Sequence, residues 1–90
     1  MTDTKKCLWG TFTYKENMTD PKRLYNDLRK FNMRFQRWLR KNKLPMCEYI
    51  AVAEVQERGA WHLHIIFIFN KKAPYIKNSI LARLWRTTVL

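Results

Sequence analysis

Ninety residues are enough for one domain, since domains cluster at roughly 100–150 residues, and leave no room for a second. An apolar fraction of 47% with 14% aromatic residues is too high for a disordered chain, so a packed core is expected. The 18 Lys and Arg against 7 Asp and Glu give a net charge of +11, which makes a polyanion the expected partner, nucleic acid ahead of an anionic membrane.

The longest apolar run, 65–69, is far short of the ~20 residues of a bilayer-spanning helix, so no membrane partner is expected. The start, Met1-Thr2-Asp3-Thr4-Lys5-Lys6, lacks the apolar stretch of a secretory signal. Cys7 and Cys47 form neither a disulfide framework nor a zinc spacing, which fits a cytoplasmic chain with two thiols.

In chain order, residues 7–14 are rich in aromatic and β-branched side chains and alternate around Phe12, which predicts a first strand. Thr19 or Asp20 then caps a helix that has Pro21 at its first position, where the missing N–H costs nothing. Leu24, Leu28, Phe31, Phe35, Trp38 and Leu39 recur at helical period and carry the helix to about Lys41; Pro45 supports a stop at 42–44. Residues 47–56 and 60–69 read as strands around Glu57-Arg58-Gly59, a hairpin whose glycine supplies a positive φ. After a turn at 70–74, Ile76, Ile80, Leu81, Leu84 and Trp85 predict a shorter helix over 75–86, and Thr87 to Leu90 read as the start of a further strand. The order β-α-β-β-α, with that further strand, defines an α+β fold of ferredoxin-like type, an antiparallel sheet with a long basic helix and a shorter one against it.

Alternation along a strand puts His62 and His64 on one face, where two imidazoles suit chelation of a divalent cation. Glu54 is the candidate third ligand, and whether it joins them depends on parity. A three-residue loop pairs Glu54 with His62, whereas a two- or four-residue loop puts Leu63 on the Glu54 face and removes the site. A nitrogen and oxygen donor set suits Mn²⁺ or Mg²⁺. Half of the basic residues, Lys22, Arg23, Arg29, Lys30, Arg34, Arg37, Arg40, Lys41 and Lys43, fall in one stretch with Asp27 as its one acid, and are read as nucleic-acid contacts. Trp9, Trp61, Tyr14 and Tyr49 are strand aromatics suited to stacking bases.

The run Trp61-His62-Leu63-His64-Ile65-Ile66, preceded by Glu54 and a glycine turn, resembles the HUH endonucleases, and more narrowly the rolling-circle replication initiators of plasmids and single-stranded DNA phages. Leu8-Trp9-Gly10-Thr11-Phe12-Thr13-Tyr14 is similar to that family's first motif, which adds Thr11, Thr13 and Tyr14 to the expected DNA contacts. The resemblance implies a domain, truncated before its last strand and catalytic helix, that holds a divalent cation on His62, His64 and Glu54 against single-stranded or hairpin DNA. It also implies a tyrosine nucleophile that forms a covalent link to the cut strand. No Tyr-x-x-Lys occurs in the chain, and Tyr75, in Tyr75-Ile76-Lys77, is the nearest candidate.

The alternatives are a truncated module without nicking activity, binding nucleic acid or a nucleoprotein as a regulator or inhibitor of a host system, and a basic RNA-binding domain whose histidines are structural. An open sheet edge at 87–90 would also permit self-association.

Overall fold

The computed structural model describes residues 4–14, 18–55 and 61–89. A short 3-10 turn, Thr4–Lys6, leads into β1 (Cys7–Phe12), followed by α1 (Pro21–Lys41), β2 (Cys47–Val55), β3 (Trp61–Phe69) and α2 (Asn78–Val89). The three strands form an antiparallel sheet in the order β1-β3-β2. β1 and β2 therefore run parallel with β3 between them, a split β-α-β unit extended by α2.

Alternation divides the sheet into two faces. Leu63, Ile65, Phe67 and Phe69 of β3 point inward and are almost wholly buried with Phe12, and Phe31, Phe35 and Leu39 of α1 close over them. The Phe67 ring lies 4.7 Å from Phe35 and 6.2 Å from Phe31, and Trp85 of α2 packs edge-on to Phe31 at 5.7 Å. Both helices thus cover the same face. Gly10 is required there, because a Cβ at this position would stand 2.7 Å from the Phe12 ring.

α1 begins as expected, with Asp20 as N-cap accepting from the Lys22 backbone N–H at 3.0 Å and Pro21 in the first turn. At its other end the Lys43 N–H donates to the Arg40 carbonyl and the Leu44 N–H to the Leu39 carbonyl, with Lys43 in the left-handed region at φ 58. This is a Schellman cap with lysine in the place glycine usually takes.

The second helix departs from expectation at both ends. Tyr75 and Ile76 are not helical, although Ile76 is buried, and the helix starts at Asn78. The expected strand at Thr87-Thr88-Val89 does not form, because α2 continues through Val89; Leu90 lies outside the described residues. The two threonines stay helical because their hydroxyls donate back into the preceding turn, Thr87 to the Arg83 carbonyl at 2.9 Å and Thr88 to the Leu84 carbonyl at 2.6 Å. An edge for self-association at this segment is therefore lost, and the sheet's edges are β1 and β2. No helix among the described residues is long and apolar enough to cross a membrane.

Candidate functional site

The β2–β3 register decides the parity question. Glu54 lies opposite His62 and Val52 opposite His64, while β1 brings Thr11 opposite His64 from the other side. The turn expected to set this register, Glu57-Arg58-Gly59, lies outside the described residues.

His62, His64, Glu54 and Thr11 consequently share the face that the helices leave uncovered. His64 is held from both sides: its Nδ1 is 3.2 Å from the Thr11 hydroxyl, and its Nε2 is 3.7 Å from Glu54 Oε1, the diagonal neighbour across the hairpin. With Nδ1–H donated to Thr11, the Nε2 lone pair is directed to the side where Glu54 stands, the tautomer a metal-binding imidazole needs. Two imidazoles and a carboxylate fit a divalent cation in donor type and in face. Among the described residues, however, no three His, Cys, Asp or Glu side chains are gathered round a common point.

Beside His64 the open face forms a shallow hollow of about 450 Å³ lined by Trp9, Thr11, Ile50, Val52 and Ile66. Trp9 is 65% exposed, and Ile50 and Val52 are similarly bare. Of the four strand aromatics, Trp9 alone presents its ring to this face. Tyr49 and Trp61 lie opposite inward residues and pack against the core, and the Trp61 indole N–H donates to the Thr19 carbonyl. Tyr14 turns to the helix side, where its hydroxyl donates to Asp27 at 2.5 Å and its ring packs edge-on to Trp85. Thr13 is exposed, and its carbonyl accepts from the Trp85 indole at 2.8 Å.

The basic stretch lies on the other side of the molecule. Lys22, Arg29, Lys30, Arg34, Arg37, Arg40, Lys41 and Lys43 are exposed on α1 or its cap, behind the sheet as seen from His64; Arg23 is partly covered and pairs with buried Asp27 at 3.6 Å. The open-face strand positions, Cys7, Trp9, Thr11, Glu48, Ile50, Val52, Glu54, His62, His64, Ile66 and Ile68, include no lysine or arginine.

Tyr75 is not brought to the histidines. It is 88% exposed in the segment after β3, which is pinned to the start of β1 by the Ala73 N–H bond to the Lys5 carbonyl. That start lies opposite Ile68, four strand positions or about 13 Å from His64.

Cys47, at the same end of the sheet, is part-buried on the inner face. Burial pushes its thiol above the ordinary range, against the smaller opposing effect of the Gln36 amide that donates to its sulfur at 3.4 Å.

An antiparallel sheet with one face packed by two helices and the other bearing a histidine pair, a carboxylate and a bare tryptophan is a scaffold of nucleic-acid-processing type. The family model for replication-associated proteins of the ORF2 kind matches residues 7–89, so the chain belongs to that family. Comparison with curated proteins and with solved structures gives no match.

Proposed function

We propose that this protein is a replication-initiator domain of HUH type that receives single-stranded or hairpin DNA on its open sheet face, in the cytoplasm of a bacterial or phage-infected cell. The observation that carries this reading is the placement of Glu54 3.7 Å from His64 and opposite His62, on the face where Trp9 and the hollow beside it leave room for a base. His62, His64 and Glu54 would hold Mn²⁺ or Mg²⁺, and Thr11 would orient His64. A cation held there supplies Lewis-acid polarisation of a phosphoryl oxygen. The chain's own residues bring the rest: Trp9 offers a stacking surface, and Ile50, Val52 and Ile66 keep the hollow apolar.

A second reading, DNA or nucleoprotein binding without strand cleavage, as in a regulator or inhibitor of a host system, is favoured by the tyrosines. Tyr14 and Tyr49 face the helices, Tyr25 lies on α1, and Tyr75 stands at the far end of the sheet. Nicking by Tyr75 would require its hydroxyl to travel about 10 Å or more along the sheet.

Thermal unfolding with Mn²⁺, Mg²⁺ or chelator, for the natural chain and His64→Ala, tests the first reading. A cation at a hundredfold excess over Kd stabilises by about 2.7 kcal/mol, and this gain should vanish in the variant. No cation-dependent shift in the natural chain would remove the metal from the proposal. Incubation with labelled single-stranded oligonucleotides, natural chain against Tyr75→Phe, then separates the two readings: a covalent adduct lost in the variant supports cleavage, and cation-dependent binding without adduct supports the second.

A further inference from the structure

The charge of the molecule is collected where the open-face reading makes no use of it. On the outer side of the helical layer, Lys30, Arg34 and Arg37 of α1 line a groove with Met33 and with Thr87 and Thr88 of α2. It continues into a hollow of about 250 Å³ bounded by Arg34, Arg37, Trp38, Lys41 and Leu84. Among the described residues, no carboxylate lines either part. Asp27, the one acid of α1, is buried and engaged by Tyr14 and Arg23. Arg34 is braced across the groove by its 2.6 Å bond to the Thr87 hydroxyl, which fixes the guanidinium between the helices and leaves it further N–H groups to donate.

Trp38 adds a chemistry that a solvated basic face does not need. One side of its indole lies near-parallel to Phe35, with centroids 6.5 Å apart and planes 10° apart, and the residue is only half-buried among three basic side chains. Cations that follow a phosphate backbone, set around a rigid aromatic that offers a π face, are the arrangement that binds single strands. From Lys30 to Lys41 the helix rises about 16 Å, long enough for a strand to run along it.

We infer that the groove between α1 and α2 is a second binding path for single-stranded DNA, on the opposite side of the molecule from His64, with phosphates on Lys30, Arg34, Arg37 and Lys41 and a base against Trp38. The choice of DNA rests on the replication reading above; the phosphate and base contacts do not. The path is independent of any cation.

The test is fluorescence anisotropy of a labelled single-stranded 20-mer in EDTA, across a salt series. Four phosphate contacts predict a log–log slope near −3, or about fiftyfold weaker binding at 200 mM than at 50 mM salt. Arg34→Gln/Arg37→Gln should flatten that slope by about 1.4. Lys30→Gln/Lys41→Gln should do the same without touching the Thr87 bond, which guards against a folding defect in the first variant. Oligonucleotide binding should quench tryptophan emission in the natural chain and quench it less in Trp38→Phe, while His64→Ala binds unchanged. Unaltered slopes in both folded double variants would overturn the proposal, as would a duplex bound as tightly as the single strand. Loss of EDTA-resistant binding in His64→Ala alone would place that strand on the sheet face, overturning the groove while leaving the open-face reading intact. A lost cation shift with preserved groove binding would do the reverse.

Discussion

Tyr14 shows how one side chain's neighbours decide its role. Its alternation with Phe12 and its place in the first motif make it read as a base-stacking residue, yet its hydroxyl is committed to Asp27 and the Arg23 guanidinium lies 5.1 Å over its ring. A buried carboxylate that loses a donor costs about 1–3 kcal/mol, so Tyr14→Phe should lower the urea midpoint by that equivalent and leave oligonucleotide affinity unchanged at temperatures where the variant is folded. Unchanged stability with weakened binding would return Tyr14 to the DNA interface. His62, His64 and Glu54 were legible because a strand has a period of two and a hairpin has a parity, both readable from residue numbers. Thr11 as the partner of His64 Nδ1 was legible only as a motif member, since the β1–β3 register has no local signal. Gly10 was not singled out at all: the need for it comes from the Phe12 ring lying over its Cα, a contact visible only in three dimensions.

Among the elements, α1 was legible from end to end because its cap, its proline and its apolar stripe agree. What stops it at atomic detail is a lysine in a glycine's conformation. The left-handed region costs a non-glycine residue roughly 1–2 kcal/mol, and glycine gives back about 0.5–1 kcal/mol through a freer unfolded chain. Lys43→Gly is accordingly expected to stabilise the fold by about 0.5–1 kcal/mol, measured as a raised midpoint in thermal or urea unfolding. A destabilised variant would show that the Lys43 side chain contributes more than its backbone costs. The second helix was less legible, because Ile76 and Ile80 have helical spacing while Pro74 holds the chain extended before it, and because β-branched Thr87, Thr88 and Val89 mimic a strand. The bonds from the two hydroxyls to the preceding turn, rather than propensity, decide that segment.

At the scale of the whole molecule, the sheet separates two chemistries that the sequence contains without saying where they lie. The strand face carries histidines, glutamates and bare apolar side chains; the helical layer carries the cations. Periodicity assigns each element its own inner and outer side, but which layers end up back to back is a tertiary outcome, as is the distance between Tyr75 and His64.

The strand order has a consequence for how the chain folds and breathes. β2 and β3 are neighbours in sequence, whereas β1 must find β3 across a long loop, with Thr11 and His64 separated by 53 residues. Closing that loop costs about 1.5–2 kcal/mol more than closing the hairpin at Glu54 and His62. Pairing of β1 is then the late event in folding and the first to be undone, with the hairpin and α1 surviving as a unit. Native-state hydrogen exchange should show β1 amides opening at lower free energy than those by which β3 pairs with β2. Because β1 delivers Thr11 to His64, each such opening also releases the imidazole that the open face depends on, so the histidine site is only as persistent as the last strand to dock.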